Sequence, residues 1–511
     1  MRTIVITGAT DGIGLALARR FRQGNERLVL VGRRELTALQ PPAFEEGLFT
    51  PATYCQADLS ELDCAERVEA FLTQQGIERL DWLVHNAALG YGQRWQEQSA
   101  ESISTLFNVN FWAPLALTHR LLPWLERAHG KIAFISSVVS ALPTPELAVY
   151  GATKAALDGF ARNLRVELAG RVSVQVLHPG STRTAIFEKA GKEARLKRAE
   201  SAESVAQQIA QALPTEAESV NIGPRTGLLR FLGRYTNLSD RRQRRRLAGR
   251  GEGIALERDP AQPRHCVITG AADGIGRALA LRYAQAGYTI TGIDINAERA
   301  AQTQADLEAL GVKATFILAD LRRDWSWVAD LAPADVFVHN AGVLKIERFD
   351  SAELNFQRLT AEVNFLAPLQ ITPRLIQQGK LYRDAALIFV SSLAHYMGFP
   401  GAAVYGATKS GVAHYARSLG VLLAPQQHVM AVFPGPVTTS MDRQYTADAA
   451  QSSRRRLTAE QLADLVFQAQ QRRRPILLPG RGTRLVAGWA QLSPKRADAM
   501  LKRTVLDNLD K

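Results

Sequence analysis

"IVITGATDGIGLALARRF" (4–21) and "CVITGAADGIGRALALRY" (266–283) are two versions of one segment. Each opens with a short apolar run, passes through three glycines, and continues with apolar residues at helical spacing. A buried strand, a tight turn and the start of a helix account for that order. Glycine suits the turn because the backbone closes on whatever lies at the helix N-terminus. Free N–H groups there favour a pyrophosphate. The glycines are Gly8, Gly12 and Gly14 in the first copy and Gly270, Gly274 and Gly276 in the second. Their G-x-x-x-G-x-G spacing differs from the commoner G-x-G-x-x-G, and one instance would be weak. Two instances, each behind a first strand, point to dinucleotide binding.

The self-similarity runs on. "ADLS" (57–60) matches "ADLR" (319–322), "LVHNAA" (83–88) matches "FVHNAG" (337–342), and "VNFWAPL" (109–115) matches "VNFLAPL" (363–369). "FISSV" (134–138) matches "FVSSL" (389–393), "AVYGATK" occurs at both 148–154 and 403–409, and "LHPGSTRT" (177–184) matches "VFPGPVTT" (432–439). The order is constant and the offset stays between 254 and 262 residues, so a whole domain is duplicated. Solenoid repeats have periods of only about 20–50 residues. "LAGRGEGIALERDPAQPR" (247–264) reads as an exposed seam. The expected organisation is a first domain over 1–248, a linker over 249–263 and a second domain over 264–511. In the first copy "TIVITG", "RLVLVG", "DWLVHN", "KIAFIS" and "VSVQVLHP" read as buried strands, alternating with helical patterns. The fold class is therefore α/β, with two tandem Rossmann-like, doubly wound parallel-sheet domains.

Composition narrows the function. The 511 residues are 46% hydrophobic and 7% aromatic, enough for packed cores. Lys and Arg number 62 against 49 Asp and Glu, a formal charge of +13. Much of the excess lies in "RRQRRR" (241–246), "SRRRL" (453–457) and "QRRRP" (471–475), which read as solvated faces; no nucleic-acid role is expected. Cys55, Cys64 and Cys266 lack disulfide or metal spacing and read as reduced thiols, with no metal site. The sequence enters a strand at once, and no run approaches the roughly 18 apolar residues of a membrane span. A cytoplasmic location is expected.

The end of the second strand reaches the adenosine ribose and so selects the cofactor. "ITGIDIN" places Asp294 there, whose carboxylate accepts from ribose hydroxyls and repels a 2′-phosphate, favouring NAD(H). "VLVGRRE" places Gly32 there, followed by Arg33 and Arg34, which favours NADP(H). Asp11 in the glycine loop runs against that preference.

The ordered set T-G-x-x-x-G-x-G, N-A-G, Asn, Ser, Y-x-x-x-K and P-G resembles the short-chain dehydrogenase/reductase family, twice over, across nearly the whole chain. The resemblance implies an Asn–Ser–Tyr–Lys tetrad: Asn110, Ser137, Tyr150 and Lys154 in the first copy, Asn364, Ser392, Tyr405 and Lys409 in the second. Ser and Tyr are 13 residues apart in both, so Ser136 and Ser391 read as structural. The residue types suit the chemistry. Hydride transfer at a carbonyl carbon needs a proton moved at its oxygen. A phenol can do this, but its free pKa near 10 is too high for neutral work. A lysine one helical turn on stabilises the phenolate, and Ser clamps the substrate oxygen. Asn110, in a helix reading "FNVNFWAPL", is expected to hold a relay water.

The resemblance also implies a cofactor-side set. In the first copy it comprises Gly8, Asp11, Gly12, Ile13, Gly14, Arg33, Arg34, Asp58, Leu59, Asn86, Ala87, Pro179, Gly180 and Thr184. In the second it comprises Gly270, Asp273, Gly274, Ile275, Gly276, Asp294, Asp320, Leu321, Asn340, Ala341, Pro434, Gly435 and Thr439. Asp58 and Asp320 are expected at the adenine edge, and Ala88 stands where the family usually has Gly. The substrate expected is a small-molecule alcohol or ketone, lipid-like or an acyl thioester. Lids are expected over 185–201 and 440–457. An intramolecular pseudo-dimer is expected, with 99–128 and 150–169 against 353–379 and 404–424, and a further homodimer is compatible with it. Two active sites, each interconverting a secondary alcohol and a ketone, form the leading reading, and coupled oxidation and reduction of one substrate is one version of it. One catalytic domain with a supporting or dinucleotide-sensing partner is the alternative.

Overall fold

The computed structural model describes residues 1–24, 26–40, 47–90, 97–184, 199–236, 238–247, 256–423, 427–440, 456–506 and 509. The expected lid residues 185–198 and 441–455 and the linker residues 249–255 lie outside the described residues. The chain divides into two compact units. Unit 1 is Met1–Ser239 with Arg348–Leu354, and unit 2 is Asp240–Glu347 with Asn355–Lys511.

Unit 1 is built on β1 (Thr3–Thr7), β2 (Arg27–Gly32), β3 (Tyr54–Gln56), β4 (Trp82–His85), β5 (Lys131–Ile135), β6 (Ser173–Pro179) and β9 (Ser219–Ile222). A separate pair, β7 (Thr182–Arg183) and β8 (Glu200–Ser201), lies between β6 and β9 in sequence. The main sheet is parallel, in the order β3-β2-β1-β4-β5-β6-β9. β1 is buried along its whole length because helices cover both faces of such a sheet. Ile4 and Ile6 pack with Leu17, Phe21 and Leu30 in one core cluster.

Unit 2 repeats the plan with β10 (His265–Thr269), β11 (Thr289–Asp294), β12 (Ala314–Leu318), β13 (Ala334–His339), β14 (Leu381–Val390), β15 (His428–Val432) and β18 (Ile476–Leu477). β16 (Val437–Thr438) and β17 (Leu457–Thr458) form its small pair, and the main order is β12-β11-β10-β13-β14-β15-β18. In each sheet the order reverses beside the first strand, between β1 and β4 and between β10 and β13. That reversal opens a crevice at the strands' carboxyl ends. The five strands read from the first copy are all present. β3 and β9 were not read: β3 has three residues and β9 is an exposed edge.

The helix carrying each tetrad asparagine is interrupted by a π-helical turn, Asn108–Trp112 and Glu362–Leu366. The helix carrying each Tyr/Lys pair spans Ala148–Glu167 and Ala403–Leu422. The "RRQRRR" run lies on the helix Leu238–Leu247, with Arg241, Arg242, Arg244 and Arg245 exposed. All three cysteines are free and buried, and burial pushes the Cys55 and Cys64 thiols up to about 12. No described helix is long and apolar enough to cross a membrane.

Candidate active sites

The glycine loops are shaped by what lies against them. Gly8 and Gly12 have φ of +65° and +51°, and Gly270 and Gly274 have +65° and +53°, a region that L side chains rarely adopt. A Cβ on Gly8 would come within 2.8 Å of Ala87 Cα, and one on Gly270 within 2.9 Å of Ala341 Cα. A Cβ on Gly14 or Gly276 would strike the carbonyl oxygen of Gly8 or Gly270. Asn86 Nδ2 donates to Thr7 O (3.0 Å) and Gly8 O (3.2 Å), and Asn340 repeats this on Thr269 O and Gly270 O (3.0 and 3.1 Å). The N-A-A and N-A-G segments thus brace the loop from the neighbouring strand. Asp11 and Asp273 cap the following helices, each accepting from the next glycine N–H at 2.6 Å. Thr184 and Thr439 come close to Gly12 and Gly274. These backbone cradles at helix N-termini suit the phosphates of a dinucleotide.

The ribose ends differ. Asp294 accepts from Ala272 N (3.0 Å) and Asn296 N (3.1 Å), which aims its carboxylate across the glycine loop. Its counterpart Gly32 is crowded by side chains: a Cβ would come within 2.7 Å of the Tyr54 hydroxyl and 2.8 Å of Thr10 Cγ2, so either would have to shift. Tyr54 in turn donates to Arg34 O at 2.7 Å, and the Arg33 and Arg34 side chains are exposed. Asp273 also accepts from Arg299 (2.6 Å) and Ser440 (2.5 Å). Asp58 Oδ1 accepts from the backbone and hydroxyl of Ser60 (2.9 and 2.7 Å), and the Asp320 carboxylate is paired with Arg322, which holds it below the usual carboxylate range.

At the carboxyl ends of β4 and β5 the first tetrad comes together. Lys154 is buried; its Nζ donates to Ile135 O (3.0 Å) and lies 5.9 Å from the centre of the Tyr150 ring. Burial pushes the Tyr150 phenol up to about 12, opposed by a hydrogen bond with the Ser137 side chain. Burial also draws the Lys154 ammonium down to about 8. The second tetrad repeats these relations. Lys409 donates to Val390 O (3.0 Å), lies 5.5 Å from the Tyr405 ring and is drawn down to about 8 by burial. Burial raises Tyr405 too, against a hydrogen bond from Ser392. Ser136 and Ser391 are buried, each bonded to the carbonyl of its lysine (3.5 and 2.8 Å).

Asn110 acts as a bracket. Its Oδ1 accepts from Leu89 N (2.8 Å) and its Nδ2 donates to Leu89 O (2.9 Å) and to Thr153 Oγ1 (3.2 Å). Asn364 does the same with Val343 (2.7 and 2.9 Å). The π-turn directs this carboxamide inward, as such turns often do at functional sites. Thr153, Thr408, Thr7 and Thr269 therefore belong to the supporting framework, which the sequence reading passed over. Their signal was in plain view inside "GATK" and "ITG", but a threonine hydroxyl has no pattern until its acceptor is known. A Cβ on Gly342 would lie 3.2 Å from Asn364 Oδ1 and 3.4 Å from Lys409 Nζ; Ala88 occupies that place in the first copy. A Cβ on Gly180 or Gly435 would lie 3.2 Å from a threonine hydroxyl, Thr226 or Thr483, in the first turn of the helix Thr226–Tyr235 or Arg481–Leu492.

The sheet order and the paired tetrads define a doubly wound, dinucleotide-type fold in each of the two units. The family model for short chain dehydrogenase matches residues 2–195 and 264–450, most of the chain, and the protein belongs to that family. An 11-beta-hydroxysteroid dehydrogenase of Pinus massoniana is 34% identical over 182 residues, 35% of this chain and 51% of that protein. The 11-beta-hydroxysteroid dehydrogenase-like 4A of Arabidopsis thaliana is 34% identical over 183 residues, 35% of this chain and 60% of that protein. The chain thus spans about half the length of these curated relatives, between 51% and 60%. Among solved structures, the N-domain with NADP of a bacterial malonyl-CoA reductase aligns with a TM-score of 0.61 at 15% identity, over 87% of this chain and 93% of that one. An N-terminal ketoreductase from a macrolactin assembly line aligns at 0.58 and 12% identity, over 93% and 86%. At those identities the likeness is one of fold.

Proposed function

We propose that the protein is an NAD(P)-dependent oxidoreductase with two active sites, each interconverting a secondary alcohol and a ketone. NADP(H) is favoured in the first and NAD(H) in the second. The observation that carries this reading is the repetition, in both units, of a buried lysine beneath a tyrosine that is hydrogen-bonded to a serine. A bound nicotinamide supplies or accepts the hydride. The chain's own groups handle the proton. Tyr150 gives or takes it at the substrate oxygen, and Ser137 holds that oxygen. Lys154, mostly protonated at neutral pH, offsets the cost of the phenolate in a buried site. Tyr405, Ser392 and Lys409 take the same roles in the second site.

Cofactor preference rests on Gly32, which carries no carboxylate to repel a 2′-phosphate, with Arg33 and Arg34 exposed beside it, against Asp294 in the second unit. Opposite preferences allow oxidation at one site and reduction at the other on a single substrate. The test is cofactor-coupled turnover on a panel of alcohols and ketones, a hydroxysteroid included because relatives carry that name. Tyr150→Phe and Tyr405→Phe are assayed separately. If neither change lowers any activity, the two-site reading fails.

The reading includes the intramolecular pseudo-dimer of 99–128 and 150–169 with 353–379 and 404–424. Its support is the membership of unit 1, which takes in Arg348–Leu354 from the second repeat. Within that unit Phe349 N donates to Glu167 Oε2 at 2.8 Å. Cross-linking mass spectrometry should give links between those segments, and their absence would remove it.

A further inference from the structure

Beneath the first tetrad lies a largely screened charged group whose residues the second repeat replaces. Asp158 follows Lys154 by one helical turn. Its Oδ2 accepts from Ser140 Oγ (2.7 Å) and meets His178 Nε2 (3.0 Å), while Arg230 lies 3.7 Å away. The side chains of His178, Arg230 and Asp158 are 2%, 15% and 24% exposed, so the group is screened from solvent. Ser140 belongs to the turn Val138–Ala141 that follows Ser137, so its single hydroxyl proton, given to the carboxylate, ties Asp158 to that loop; Ser137 O, 2.9 Å away, is the competing acceptor. Arg230 sits on the helix Thr226–Tyr235 and donates to Asn221 Oδ1 (2.9 Å). Gly233 of that helix lets it rest on the loop after Ser137, since a Cβ there would strike Ala141 O and come within 2.7 Å of Leu142 Cδ2.

The repeat identifies each counterpart. His395 stands for Ser140, Ala413 for Asp158, Phe433 for His178 and Ala487 for Arg230. There the His395, Tyr396 and Phe433 rings contact one another with centroids 4.8–5.3 Å apart. Met397 and Leu393 join Val486, Ala490 and Leu501 in an apolar cluster. The loop after Ser137 meets the Asp158 carboxylate, whereas the loop after Ser392 packs among rings and aliphatic carbons, with the Asp240-paired Arg417 acting on Tyr396.

We infer that Asp158 is a positioning residue of the first site alone: it fixes the Ser137 loop through Ser140 and, with Arg230, holds the helix Thr226–Tyr235 over that loop. This rests on the tetrad reading for its catalytic consequence but not for its geometry. The charged and titratable groups around Asp158 are Lys154 on its own helix, His178 at the end of β6, and Arg230 with its neighbours Arg234 and Tyr235 on the covering helix. His85 on β4 faces Lys154. Burial keeps His178 neutral at pH 7, so the carboxylate faces Arg230 and Lys154. Removing its charge lowers the lysine's proton affinity.

Hydrogen–deuterium exchange on the full chain tests this without any substrate. Asp158→Asn and Arg230→Met should each speed exchange of 137–142 and 226–235 by about tenfold or more. Arg230→Lys should restore most of the protection, and 392–397 and 481–492 should not change. In a Tyr405→Phe background, Asp158→Asn should raise KM more than it lowers kcat and move the alkaline limb of ketone reduction to lower pH. Unchanged exchange in either segment, or an equal rise in the helix Gly12–Arg22, would overturn the inference. If Tyr150→Phe leaves turnover intact while the exchange responses hold, the tetrad reading fails and the positioning role stands.

Discussion

Lys154 and Lys409 sit in the same heptapeptide, bond to the same kind of carbonyl at 3.0 Å and are drawn down by burial to the same value, about 8. Their surroundings have diverged. One has a carboxylate a helical turn away, held by Ser140, His178 and Arg230; the other has Ala413 at that position, Phe433 in place of His178, and an aromatic group over the adjoining loop. Duplication kept the Ser–Tyr–Lys group to which we assign the proton transfer and changed the surroundings of the loop above it. A buried ion pair is costly unless fully partnered, whereas packed rings need only fit. The first site therefore ties its geometry to a carboxylate on the Tyr/Lys helix, and the second has an alanine there.

The largest expected effect tests what the two sites share. Tyr150→Phe and Tyr405→Phe should each remove about a hundredfold or more of turnover at their own site, the range of a positioned general acid, and leave the other site intact. Cofactor-coupled rates on the substrate panel check this. Loss of both activities from one substitution would mean a single working site.

Next comes the ribose end. Asp294→Ala should cost NAD(H) affinity by about tenfold to a hundredfold, the range of charge-assisted hydrogen bonds, and Arg33→Ala should cost NADP(H) a similar factor. Fluorescence titration of each reduced cofactor reads both. Unchanged selectivity would remove the proposed asymmetry.

The pH dependence is smaller and common to both. Each lysine's folded pKa is depressed to about 8, so its ammonium is lost as pH rises through that value. Ketone reduction, which needs the protonated phenol beside the ammonium, should fall above about pH 8 at both sites. A rate profile in each single-tyrosine background checks it. A flat profile up to pH 10 would detach the lysines from the chemistry. The mildest test is Tyr54→Phe, which removes the bond to Arg34 O and should cost about 1 kcal/mol, read as a lower melting temperature.

Much of this was legible in the chain. The glycine runs, the apolar strands and the ordered tetrad repeat with little change, and each is a local pattern with a local physical cause. Two strands of the first main sheet escaped because Tyr54–Gln56 is too short and Ser219–Ile222 too exposed to carry an apolar signature. The π-turns escaped because a single inserted residue in a helix leaves the apolar period nearly intact.

The sequence by itself determined two parallel α/β sheets, two glycine cradles and two Tyr/Lys helices, because strand burial, turn sterics and helical spacing act over a few neighbouring residues. Only the tertiary structure decided what stands around them. Asp158 meets His178 and Arg230 from 20 and 72 residues away, and Gly32 is crowded by Tyr54 from a neighbouring strand. Such contacts depend on which strands lie side by side and which helix crosses them, and no local pattern carries that information.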